Sequence, residues 1–84
     1  MVKLRFFARL REDLGTATED LPLPADVTTV ASLRAYLMGR GGAWASVLAN
    51  GKAVRVAVNQ DMADPATPVK PGDEVAFFPP VTGG

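Results

Sequence analysis

Eighty-four residues, 48% hydrophobic and 21% charged, describe one folded domain with a modest core, too apolar for a disordered chain. Nine basic residues balance nine acidic ones, so there is no general pull toward nucleic acid or an anionic membrane. Cysteine and histidine are both absent, which excludes disulfides, thiol nucleophiles, imidazole bases and Cys/His metal sites.

From Met1 to Leu10 apolar and charged residues alternate, with Val2, Leu4, Phe6 and Ala8 on one side and Lys3, Arg5, Phe7 and Arg9 on the other. This pattern predicts a strand with one buried face, on which Phe7 is an aromatic placed among charges. Arg11 to Thr16 is expected to be a connection with positive φ at Gly15. Thr18 to Leu23 alternates again, Leu21 and Leu23 pointing inward, and Pro22 restricts it to an edge position. A short loop between the two runs predicts an antiparallel hairpin.

The main helix follows. Thr28 or Thr29 caps it, Val30, Leu33 and Leu37 recur along one stripe, and Gly39, Gly41 and Gly42 end it. Ala43 to Ala49 reads as a short helical turn in which Trp44, Val47 and Leu48 close the core, before an Asn50-Gly51 turn signal. Ala53 to Val58 is a second strand with Val54, Val56 and Val58 inward and Arg55 outward. Asn59 to Asp61 turns the chain and leaves Met62 on a loop, and Ala63 to Lys70 is expected to be irregular with a short bridge. Pro71-Gly72 favours a type II turn into a last strand, Asp73 to Phe78, with Val75 and Phe77 on one face and Ala76 and Phe78 on the other. One helix on one face of a mixed sheet is an α+β domain. If the first and last strands are central neighbours, Phe7 and Phe78 meet on the open face with Met62 nearby, forming an apolar patch.

Residues 1–78 form the body, and residues 79–84 are an extended tail, Pro79-Pro80-Val81-Thr82-Gly83-Gly84. The prolines end the sheet ladder and stiffen the exit, whereas Gly83 and Gly84 make a thin end carrying the α-carboxylate. Extended, the tail spans on the order of 20 Å, enough to reach a buried site on a partner.

No side-chain catalytic device is apparent. HExxH, P-loop and GxGxxG patterns are missing, and Glu12-Asp13 and Asp73-Glu74 are adjacent pairs suited to solvated turns. Ser32 and Ser46 have no histidine partner. Lys3, Arg5 and Arg9 around Phe7 resemble a nucleic-acid stacking surface only faintly, and the net charge argues against one. The basic first strand is otherwise a solvated face or a docking patch. No run is long enough to span a membrane, and charges interrupt any N-terminal signal, so a cytoplasmic location is expected. The Gly84 carboxylate is left as the reactive group, because another enzyme can activate it as an acyl-adenylate.

The run Val2-Lys3-Leu4-Arg5-Phe6-Phe7-Ala8, the run Val56-Ala57-Val58-Asn59-Gln60 and above all the stretch from Gly72 through Phe77-Phe78-Pro79-Pro80 to Gly83-Gly84 resemble the small, sulfur-carrying subunits of molybdopterin synthases, a ubiquitin-like β-grasp family. The likeness covers the whole chain; Ala43 to Lys52 lies where the family varies. It implies that Gly84 is adenylated with ATP by an E1-like adenylyltransferase and receives sulfur from a sulfurtransferase or cysteine desulfurase, giving a thiocarboxylate (1-thioglycine). It further implies a heterotetramer of two small and two large subunits. There the large subunit supplies the catalytic side chains, and successive carriers give both dithiolene sulfurs to cyclic pyranopterin monophosphate. Phe7, Met62, Phe78, Pro79, Pro80, Val81 and Thr82 would contact partners. Gly83 would pass the narrow site, and no cofactor or metal would be held stably. Sulfur delivery to tRNA or to thiazole synthesis, and a plain ubiquitin-like binding module without chemistry, are the alternatives.

Overall fold

The computed structural model describes residues 1–49 and 53–79, so the expected Asn50-Gly51 turn and the tail residues Pro80 to Gly84 lie outside the described residues. The elements are β1 (Val2–Phe6), α1 (Ala8–Leu14), β2 (Thr18–Leu21), α2 (Val30–Met38), α3 (Gly42–Val47), β3 (Arg55–Val58), β4 (Asp61–Met62) and β5 (Glu74–Phe78). One sheet holds the strands in the order β2-β1-β5-β3-β4. The first and last strands are parallel neighbours at its centre, with Leu4 opposite Val75 and Phe6 opposite Phe77, and the other pairings are antiparallel.

Period-two alternation decides which sheet face is buried. Val2, Leu4, Phe6, Val56, Val58, Val75 and Phe77 turn inward and meet Val30, Leu33 and Leu37 of α2, with Leu10 and Leu48 closing the ends. Phe6 stacks on Phe77 at 5.7 Å between centroids and meets the edge of Trp44 at 5.4 Å. Trp44 also carries the Arg40 guanidinium 4.6 Å above its ring. That guanidinium donates to both carboxylate oxygens of Glu19, fastening β2 to the α2–α3 corner.

Helix α2 begins as its sequence requires. The Ser32 N–H donates to Thr29 Oγ1 at 3.1 Å and the Thr29 N–H donates to Ser32 Oγ at 2.9 Å, a capping box with serine at its third position. The next free N–H groups, of Val30 and Ala31, donate to the carbonyls of Thr67 and Pro65, both at 3.0 Å. The irregular 63–70 segment therefore caps the helix, and it makes the expected bridge, between Thr29 and Pro68. Gly72, at φ +95°, occupies the third position of the type II turn that starts β5.

Three expectations change. The first strand ends at Phe6, and Arg9 and Leu10 belong to α1. Ala8 takes φ +53°, which breaks the ladder, and Leu10 and Leu14, four apart, then pack as one helical side. Over so few residues, spacings of two and four both fit the sequence. Secondly, β1 and β2 do pair antiparallel but through this helix, with Gly15 at φ +72° as its C-cap. Strand β2 stops at Leu21, so Pro22 lies just past the end of an edge strand and Leu23 is half-buried. Thirdly, Met62 lies in β4 and not on a loop. Asn59 and Gln60, at φ +50° and +71°, form a two-residue turn of the type I′ class that returns the chain along β3.

Candidate functional site

Because β5 is central and parallel to β1, both run toward the same end of the sheet, and the chain leaves β5 there. The last rung is the Phe7 N–H donating to the Phe77 carbonyl at 3.1 Å. Beyond it Phe78 and Pro79 are half-buried. The pleat sends Phe77 into the core and Phe78 to the open face, where its ring meets the exposed ring of Phe7 edge-on, 6.5 Å between centroids. The Arg5 guanidinium lies 5.2 Å over the Phe7 ring and 3.6 Å from the Glu74 carboxylate. Arg55 sits directly opposite Phe78 across the β3–β5 ladder.

Register places Arg5, Ala76, Ala57 and Met62 in one row across the open face. Met62, 59% exposed, therefore shares the face with the aromatic pair but lies two strands from Phe78, beyond a shelf made by the two alanines. The fold brings Phe7 and Phe78 together and does not put Met62 against them. Pro79 also lines an open groove of about 450 Å³ with Arg9, Leu10 and Asp13 of α1, Val47 of α3, and Val54.

Catalytic groups do not converge elsewhere among the described residues. A cavity of about 230 Å³ between α2 and the β3–β4 edge is lined by Val30, Ala31, Arg34, Arg55, Met62 and Asp64, among others. Two of its polar groups serve the fold: Arg34 donates to the carbonyls of Leu48 and Ala49 at 2.7 and 2.9 Å, and Asp64 accepts from the Ala66 N–H at 2.8 Å. The carboxylates with lowered pKa are structural too. A side-chain hydrogen bond from Arg40, with its positive charge, holds Glu19 below its ordinary value against an opposing effect of burial. The Asn59 side-chain amide, then the Lys70 N–H, does the same for Asp73. Among the described residues no group of three or more acidic, cysteine or histidine side chains is placed to hold a metal. Nor is any described helix long and apolar enough to cross a membrane.

Arg55 beside Phe78 escaped the sequence reading. Its outward direction follows from alternation, but its neighbour is set by the β3–β5 register, for which the sequence carries no local signal. Helix α1, which brings Arg9 to the exit groove, was missed as well.

A helix held by a five-stranded mixed sheet, with first and last strands parallel at the centre and the C-terminal segment leaving from the middle, defines a ubiquitin-like β-grasp domain. The ThiS family profile matches residues 4–84, and the chain belongs to that family of sulfur carriers. It is 48% identical, over the full length of both chains, to the molybdopterin synthase sulfur carrier subunit of Escherichia coli (strain K12). Among solved structures it resembles small archaeal modifier protein 1 of Haloferax volcanii, with TM-score 0.75 and 27% identity over 95% of this chain and 97% of that one. It also resembles a chain in the complex of subunits 1 and 2 of the molybdopterin-converting factor from Helicobacter pylori, with TM-score 0.66 and 26% identity over 99% and 97% of the two chains.

Proposed function

We infer that the chain is the sulfur-carrying subunit of a molybdopterin synthase and that the Gly84 carboxylate is where its cargo is loaded. The full-length 48% identity to a carrier of that kind supports this above all. The exit of β5 beside two apposed aromatic rings agrees with it.

In this reaction a carboxylate oxygen of Gly84 attacks the α-phosphate of ATP on an E1-like adenylyltransferase, releasing pyrophosphate. The terminal sulfur of a persulfide on a sulfurtransferase or cysteine desulfurase then displaces AMP from the acyl carbon. A thiol reduces the resulting acyl disulfide, leaving the thiocarboxylate on Gly84 and a disulfide on the donor side; free sulfide would displace AMP and give the thiocarboxylate directly. The loaded tail, Pro79 to Gly84, enters the large subunit, where burial aligns the sulfur and excludes water. Each transfer to cyclic pyranopterin monophosphate returns a carboxylate at Gly84 after hydrolysis, so two carriers used in turn supply two sulfurs. Phe7 and Phe78 seat the body, with Met62 at the margin, while Pro80, Val81 and Thr82 line the thread and Gly83 passes its narrowest part. The carrier contributes placement and cargo, and two small plus two large subunits make the working synthase.

Loading with ATP, the activating enzyme and a sulfur source should add about 16 Da at the C-terminus, oxygen replaced by sulfur in an acyl transfer. An unchanged intact mass, under conditions that load another carrier, would refute the assignment. Deleting Gly84 should abolish dithiolene formation without altering the melting temperature. Persistent synthase activity would leave a plain binding module as the better account. Turnover only with a tRNA thiolase or a thiazole synthase would move the acceptor, not the carrier chemistry.

A further inference from the structure

We propose that the surface receiving this carrier on the large synthase subunit is an apolar seat ringed by carboxylates, and that Arg55, with Arg5, steers and registers the docking. The proposal rests on the carrier reading above and adds the chemistry of the partner's rim.

The open face is electrically divided along its strands. At its exit end register puts Arg55 opposite Phe78 and Arg5 lies over Phe7, while Arg9 lines the neighbouring groove beside Pro79 together with Asp13. At the other end Asp20 and Glu74 flank Lys3 in one row, and Asp73 and Lys70 follow in the adjoining turn, which is bonded to Met1. Arg5 is partly neutralised by Glu74 at 3.6 Å. No carboxylate among the described residues forms an ion pair with Arg55 or Arg9, while Glu12 and Asp13 are the acidic groups of α1.

Any surface that covers the Phe78 ring must also cover much of its cross-strand neighbour. Desolvating the Arg55 guanidinium without an opposite charge is costly, so a well-fitting partner places a carboxylate there. The tail imposes the opposite demand, because its terminal carboxylate or thiocarboxylate is anionic and needs a cationic pocket. Six residues, if fully extended, span on the order of 20 Å, about two Debye lengths at 0.1 M salt, so both demands are met when the partner separates an acidic rim from a basic floor. A rim and floor of the same sign would repel either the body or the cargo. Such a division also orients the carrier before contact, since the exit end, with Arg55 and Arg5, is drawn to the rim more strongly than the far end, where carboxylates and ammonium groups are mixed.

Association and dissociation rates with the large subunit would be measured for wild type, Arg55→Gln, Arg55→Glu, Lys70→Glu and Phe78→Ala, at low and high ionic strength. Arg55→Glu and Lys70→Glu change net charge equally at opposite ends of the molecule, and both side chains are exposed. Arg55→Glu should slow association about tenfold or more at low salt, with Arg55→Gln intermediate and the difference shrinking at high salt. Lys70→Glu should stay within about twofold of wild type, and matched melting curves exclude a folding defect. Equal effects of the two reversals, or faster association of Arg55→Glu, would overturn the acidic rim. Phe78→Ala separates this from the docking site itself. If it weakens binding while Arg55→Glu does not, only the rim is wrong; if it also binds like wild type, the body docks elsewhere.

Discussion

The two ends of the sheet use their side chains in opposite ways. At the end where β5 begins, polar groups are spent on one another. The Asn59 amide donates to Asp73 at 3.0 Å, Asn59 Oδ1 accepts from the Glu74 N–H at 3.0 Å, and Asp73 accepts from the Lys70 N–H at 2.8 Å. The Gly72 N–H reaches the Met1 carbonyl at 2.7 Å. At the end where β5 leaves, the ladder stops with one rung, and beyond it stand two aromatic rings and a set of arginines facing outward. One end is complete in itself, and the other is shaped for something to cover it. Substitutions should therefore separate into those that change folding and those that change docking.

The sharpest division lies between consecutive residues. Phe77 is fully buried against Phe6, so Phe77→Ala should cost about 3–5 kcal/mol, most of the stability of a domain this size. Phe78→Ala should cost under about 1 kcal/mol of folding but about 2 kcal/mol or more of partner binding, in the manner of an interface anchor. Denaturant melts and titrations with the large subunit measure the two losses. Comparable folding losses for both would show that the outer ring is part of the core.

How much of this was legible follows from the range of each signal. The capping residue, the α2 stripe, the type II turn at Pro71-Gly72 and the in-or-out direction of Phe77 and Phe78 depend on residues a few positions apart, and the sequence displays them. The meeting of Phe7 with Phe78 needed one long-range assumption, that first and last strands are neighbours. Arg55 and Met62 needed the full register, because moving a pairing by one residue exchanges the faces. Helix α1 was hidden for another reason. Its strain is placed at Ala8, a residue with no preference for φ of +53°, so composition gives no warning of the break.

At the self-contained end, Asn59→Ala removes both side-chain bonds and puts alanine at φ +50°, and should cost about 1–2 kcal/mol with docking unchanged. It should also change the acid response. The native pKa of Asp73 is lowered chiefly by the Asn59 hydrogen bond and then by the Lys70 N–H, so its contribution is complete above the unfolded-state value and is lost as pH falls through the native one. Glu19, lowered by Arg40, acts in the same direction. Stability should therefore decline as pH drops below about 4, and more gently in Asn59→Ala than in wild type. Equal slopes would mean that the Asn59–Asp73 bond does not distinguish the protonation states.

The smallest effect concerns the second residue of the same turn. Asn59 and Gln60 both have positive φ, but asparagine tolerates that region and supplies a side chain that bonds its neighbours, whereas glutamine at φ +71° has neither advantage. Gln60→Gly completes the Asn-Gly pair that this turn class favours and should stabilise the fold by about 0.5–1 kcal/mol, the relief of strain exceeding the added freedom of the unfolded chain. The midpoint of a urea melt should rise while the partner association rate stays unchanged, since the turn lies at the end opposite the tail. A lower midpoint would show that entropy outweighs strain here, and altered docking would show that the partner's footprint extends over both ends of the sheet.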